Sequence, residues 1–136
     1  MRKSSNLLTD RQIQVLKLRS RGLTQEAVAK QLKTTRENVS ILESRARRNI
    51  KRAKATIEVL ENLGMATRIT IKPETPVFEI SKIIIKKADD ANIRLQLDCI
   101  DLLEKIKMKA KNKIKAKKVV NSISIVLLPY GDLLVE

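Results

Sequence analysis

Apolar positions in the first half of the chain recur at helical spacing, and the residues between them punctuate three helices. Thr9 and Gln12 stand in capping-box spacing ahead of Ile13, Leu16 and, one residue off phase, Val15 and Leu18, so a helix opens at Thr9 and closes at Gly22. A second cap at Thr24 starts a short helix with Val28, Ala29 and Leu32 on one side, and Lys33-Thr34 leaves a tight connection to a third cap at Thr35. Helices joined so closely must cross steeply. From Arg36 no proline or glycine appears until Gly64, while Val39, Leu42, Ala46, Ile50, Ala53, Ile57 and Leu60 recur every three or four residues. One long helix follows, extending roughly 40 Å at 1.5 Å per residue. Its distal part, residues 50–63, outruns a compact three-helix core and must bury its stripe against the C-terminal half or against a second copy. With only about two or three heptads available, a coiled-coil dimer and intramolecular docking both stay open.

After Gly64 the pattern changes. Thr67, Ile69 and Ile71 alternate with Arg68, Thr70 and Lys72 as a half-buried strand, and Pro73-Glu74-Thr75-Pro76 supplies a turn, an N-cap and a proline at the first helical position. Val77, Ile80, Ile84, Ala88 and Ala91, with Ile83 beside them, predict a helix ending near Asn92, and Ile93-Arg94-Leu95 a short second strand. Asp98 and Asp101 suit a helix start, with Leu97 and Leu102 placed as a hydrophobic staple. Over residues 105–117 lysine falls at every second position, a strand-like period, yet Ile106, Ala110 and Ile114 also lie at helical spacing. Lysine, alanine and methionine favour helix, and helix is the expectation there. Ile123, Ile125 and Leu127 then alternate, Pro129-Tyr130-Gly131-Asp132 turns the chain, and residues 133–135 return as a hairpin. The expected fold class is α+β: an N-terminal all-α helix-turn-helix with a long third helix (residues 1–64), then a small β-α-β-α-β-β domain (residues 65–136).

Charge adds a partner to this picture. Among 136 residues, 29 basic side chains face 15 acidic ones, a net +14 that attracts nucleic acid or anionic surfaces. Both halves are cationic: residues 1–64 carry 15 basic and 6 acidic groups, residues 65–136 carry 14 and 9. No apolar run approaches a membrane span, and Met1-Arg2-Lys3-Ser4-Ser5-Asn6 lacks an apolar signal core, so a soluble, cytoplasmic protein with no membrane partner is expected. The single Cys99 fits a reducing compartment and reads most simply as a small buried hydrophobe. With no histidine there is no Ser-His or Cys-His pair and no His-containing metal site. Asp89, Asp90, Asp98, Asp101 and Glu104 read as ordinary helix-end carboxylates rather than a hard-metal cluster. No catalytic residue, cofactor or metal is expected.

The chemistry-bearing residues therefore lie on the third helix. Its opening segment, TTRENVSILESRARRNIKR, follows LTDRQIQVLKLRSRGLTQEAVAKQL, and the two together resemble the region 4 helix-turn-helix of bacterial sigma factors and related quorum-sensing regulators. Thr35, Arg36, Glu37, Val39, Leu42, Glu43, Ala46 and Ile50 match that pattern in order. The resemblance implies burial of Val39, Leu42 and Ala46 and base contacts by Arg36, Glu37, Ser40 and Ile41. It implies DNA reading but not sigma activity, because the chain has no room for a promoter-melting region. Side-chain chemistry agrees: Arg36 suits guanine O6 and N7, Glu37 suits cytosine N4, and Ile41 suits a thymine methyl. Ser40 and Ile41 depart from the polar, cationic pair common in sigma factors, so the sequence read is its own. Glu37 equally suits a carboxylate stabilising its own helix N-terminus. Thr35 and the cations Arg45, Arg48 and Arg52 on one face, with Arg47, Lys51 and Lys54 on a neighbouring one, are the phosphate candidates; about half of the cations are expected to touch DNA, and Glu43 with Arg47 also suits a plain helix pair.

Taken with GMATRITIKPETPVFEISKIIIKKADDANIRL and the terminal hairpin, the chain resembles the Tfx family of archaeal DNA-binding proteins, which implies a transcriptional regulator. The expected partner is double-stranded DNA, with a homodimer and the transcription machinery as further candidates. The rival function is a general RNA- or DNA-binding, compacting protein. Phe78 and Tyr130 are the only aromatics, too few for a base-stacking platform.

Overall fold

The computed structural model describes residues 5–136; residues 1–4, the start of the stretch read above as lacking a signal core, lie outside the described residues. The chain forms two compact units, the first running to Ile57 and the second starting at Glu58, in an α+β fold.

In the first unit α1 (Asp10–Ser20), α2 (Gln25–Gln31) and the proximal part of α3 (Arg36–Asn62) enclose Val15, Leu18, Val28, Ala29 and Val39, with Leu23, Leu32 and Leu42 packed against them. The capping box forms as its spacing predicts: Gln12 N–H donates to Thr9 Oγ1 and Thr9 N–H to Gln12 Oε1, both at 3.1 Å. Two overlapping stripes competed on α1, and the one through Gln12, Val15 and Leu18 is buried, whereas Ile13 is 39% exposed. The Gln12 amide can enter that side because it folds back onto the Thr9 N–H. Between α2 and α3 the chain turns through Lys33 at φ +54, with Thr34 N–H closing on the Ala29 carbonyl at 2.9 Å.

The second unit contains β1 (Thr67–Ile71), α4 (Val77–Asp90), α5 (Cys99–Lys109), a 3-10 turn (Lys111–Lys113), β2 (Ile114–Lys115), β3 (Lys118–Val119), β4 (Ile123–Leu127) and β5 (Leu133–Val135). Strands β1, β4 and β5 make an antiparallel sheet in that order, with Ile69 opposite Ile125 and Leu127 opposite Leu133. Its apolar face packs with Ile80, Ile84 and Ala88 of α4 and Leu102 and Ile106 of α5. Arg68 reaches Glu61 at 2.8 Å, Glu136 at 2.6 Å and Ser124 at 3.0 Å, joining the last turn of α3 to the chain's end.

Three expectations for this unit are corrected. Residues 93–95 form no strand: Ile93 N–H closes the end of α4 on the Ala88 carbonyl, and Gln96 bonds to the Tyr130 and Gly131 carbonyls. Ile93 and Leu95 still alternate into the core, without a ladder. Pro76 is the N-cap of α4 rather than its first helical residue, and Thr75 Oγ1 instead closes the preceding turn on the Lys72 carbonyl at 2.7 Å. The helix expected over residues 105–117 stops at Lys109, and β2 and β3 follow as a hairpin in which Lys115 sits opposite Lys118. Burial of Val119 and three main-chain bonds to the start of α4 override the helical propensity of this segment: Glu74 N–H to the Val119 carbonyl, Val119 N–H to Thr75 and Val77 N–H to Lys117. Its turn residues, Ala116 and Lys117, have φ of 50° and 62°, a conformation that costs non-glycine residues roughly 1 kcal/mol each.

Candidate nucleic-acid interface

Thr35 caps α3: its Oγ1 accepts the Asn38 N–H at 3.1 Å, while Asn38 Nδ2 donates to Thr34 Oγ1 at 3.0 Å. Arg36, Glu37, Ser40 and Ile41 are all exposed, Ile41 by 49%, and with Gln25 they line one groove of about 290 Å³. The same rotation that turns them outward puts Val39 and Ala46 at 0% exposure on the opposite side.

At about 100° per residue, Arg36, Arg47, Ser40, Lys51 and Ser44 fall within roughly 80° of one another, and Glu37, Arg48, Ile41 and Arg52 occupy the neighbouring arc. Arg45, about 180° from Arg36 and roughly 20° round from Arg52, borders that second arc. A second groove, of about 640 Å³, is lined by Ser44, Arg47, Arg48, Ile50 and Lys51. Axial distance separates the two sets: from Arg36, Arg48 lies about 18 Å and Arg52 about 24 Å along the helix. Arg48, Lys51 and Arg52 therefore lie further from Arg36 than the roughly 12 Å width of a major groove.

Beneath this face lies a group that reaches further than its sequence spacing suggested. Glu43 is 4% exposed and takes part in more than a helix pair with Arg47. Arg19 Nε donates to both of its oxygens, at 3.0 and 3.3 Å, Arg47 donates at 2.8 Å and Gln25 Nε2 at 3.4 Å. Burial pushes the Glu43 carboxyl pKa up, but hydrogen bonds from Arg19 and Gln25, with the charges of Arg19 and Arg47, outweigh it and hold the group below its ordinary value. One carboxylate thus ties α1, α2 and α3 together. It also spends part of Arg47's donor capacity, although that side chain stays 71% exposed. Gln25, absent from the residues singled out by sequence, stands beside both Arg36 and Arg47. Its signal was the position directly after the Thr24 cap, but only inter-helix packing reveals that it borders the same groove.

Among the described residues, no group of three or more His, Cys, Asp or Glu side chains could hold a metal, and no helix is long and apolar enough to cross a membrane. Asp98 caps α5 by accepting the Asp101 N–H at 2.9 Å, and Cys99 is exposed rather than buried as expected.

Comparison with known proteins places this geometry in a context. The model for the C-terminal region of the DNA-binding protein TFX matches residues 53–135, and that for sigma-70 region 4 matches residues 6–52. A protein of Methanocaldococcus jannaschii that carries the provisional name of transcriptional regulatory protein is 43% identical over 128 residues, covering 94% of this chain and 93% of its own. DNA-binding protein Tfx of Methanothermobacter thermautotrophicus is 33% identical over 129 residues, covering 95% and 94%.

Proposed function

Since this chain belongs to the Tfx family of DNA-binding proteins, we propose that it reads a specific double-stranded DNA site with the N-terminal turns of α3. It is a DNA-binding transcriptional regulator. Arg36, Glu37, Ser40 and Ile41 face the bases; Thr35, Arg48, Lys51 and Arg52 hold phosphates, joined by Gln25 and by the donors of Arg47 that Glu43 leaves open. Arg45, on the same side of α3 as Arg52, joins them. The observation that carries this reading is the shared exposure of Arg36, Glu37, Ser40 and Ile41 along one groove, with a second groove lined by Arg47, Arg48 and Lys51 further along the helix.

In this reading residues 1–64 bind DNA and residues 65–136 serve assembly or effector contact, with the transcription machinery as a further partner and the cytoplasm as the location. It assigns no catalytic residue. Arg36→Ala should cost roughly 1 to 3 kcal/mol on the preferred site and blur sequence preference, whereas Arg48→Ala should weaken all duplexes alike and flatten the salt slope by about one unit. Equal losses on specific and random DNA for Arg36→Ala refute the groove assignment. A wild-type chain that prefers no duplex over bulk DNA would instead be a compacting protein.

Ile50 is 49% exposed and Ala53 is exposed beside it, which supports a homodimer reading half-sites roughly 34 Å apart. Sedimentation equilibrium should then give twice the chain mass, and Ile50→Glu should return it to one. A monomer at every concentration refutes this assembly.

A further inference from the structure

The hairpin of β2 and β3 breaks local rules that its packing does not require. A two-residue turn with both φ positive favours asparagine and glycine, yet Ala116 and Lys117 occupy it. Like charges directly across a ladder repel, yet Lys115 faces Lys118. Residues 111–119 hold five lysines and no acid. Lys118 has Glu74 at 3.6 Å and Lys113 donates to the Glu136 carbonyl at 3.0 Å, while Lys115 and Lys117 have no ion-pair partner among the described residues. The hairpin is nonetheless held firmly by its three main-chain bonds to the start of α4 and by buried Val119. A lysine run serving only solubility needs neither this turn nor this anchorage.

We propose that this hairpin is a second DNA contact, set on the second unit, in which Lys115 and Lys117 bind backbone phosphates of duplex DNA. The inference rests on the DNA-binding reading above and adds a surface to it. Ammonium groups are point charges without the fork geometry that reads guanine, so the contact supplies affinity and no sequence preference.

Lys117→Gly tests it, because glycine suits the left-handed turn better while removing the charge. Lys115→Gln is the second variant, and Lys86→Gln, on α4 away from the hairpin, is the control. Affinity for a mixed-sequence DNA duplex is measured from about 50 to 200 mM salt, together with thermal melting. Each hairpin variant should bind roughly eightfold more weakly near 0.1 M salt, with a salt slope about 0.9 unit smaller. Lys117→Gly should also melt higher than the wild type, and preference between duplexes should persist in both variants. Unchanged affinity and slope, on a wild type that binds, overturn the hairpin contact alone. Equal losses in Lys86→Gln also overturn it, since net charge would then be the cause. A wild type that binds no duplex overturns the DNA reading and this contact together.

Discussion

Replacing Glu43 by alanine should destabilise the first unit by about 3 kcal/mol, the cost of deleting a buried acceptor that serves several charged and polar donors. Arg19 and Arg47 keep routes to water, their side chains being 36% and 71% exposed, which holds the loss to this range. For a unit of this size the melting midpoint should fall by roughly 15 °C. The pH dependence has a definite sign. The folded-state pKa of Glu43 lies below its unfolded value, so its contribution is fully present above the ordinary carboxylate range near 4.5 and disappears as pH falls through the folded value. Glu43→Gln, which cannot ionise, should therefore melt well below the wild type at pH 7, with the gap narrowing as pH falls through the folded-state value below 4.5. A gap that stays constant across that range removes the charged network as the source. Binding measured below the variant's midpoint should still drop, because Gln25 and Arg47 lose the group that orients them beside the groove.

Gly131→Ala should have a comparable effect in the second unit, roughly 3 kcal/mol or more. Gly131 sits at φ +92 in the turn between β4 and β5, and an added Cβ would collide with the Arg94 carbonyl oxygen and come within 3.1 Å of Gln96 Cγ. Backbone is what it meets, so no side-chain rotation relieves the clash. The segment before α5 and the turn would have to part, giving up the Gln96 bonds to the Tyr130 and Gly131 carbonyls. Chemical denaturation should show a lower midpoint; an unchanged one places the 94–96 segment elsewhere. Gly22 and Gly64 meet no atom within 4 Å of an added Cβ, so alanine there brings only the φ penalty, roughly 1 kcal/mol.

Legibility in the sequence followed how local the deciding interaction was. Helix starts at Thr9, Thr24, Thr35 and Asp98 were readable because a cap is a contact across three residues. Strands β1, β4 and β5 were readable because alternation reports one buried face. The lysine hairpin was not, because alternate lysines fit a strand while the residues between them fit a helix, and bonds to Glu74, Thr75 and Val77, some forty positions earlier, decided the matter. Residues 93–95 misled for the converse reason: their side chains alternate into the core, but their backbone finds no ladder partner. On α3, the resemblance to sigma-factor region 4 singled out Arg36, Glu37, Ser40 and Ile41, and all four are exposed. What it could not supply was the inter-helix cluster of Arg19, Gln25 and Glu43, which exists only once three helices have packed.

The two cationic surfaces differ in functional group, and that difference is chemically addressable. On the exposed side of α3 the cations are arginines apart from Lys51 and Lys54, whereas 12 of the 14 basic residues after position 64 are lysines. Acylating the primary amines would thus neutralise the hairpin tip, with Lys51 and Lys54, while leaving the guanidinium groups of α3 charged. The proposed phosphate contacts of the hairpin would then be tunable by covalent chemistry apart from the proposed base contacts of α3.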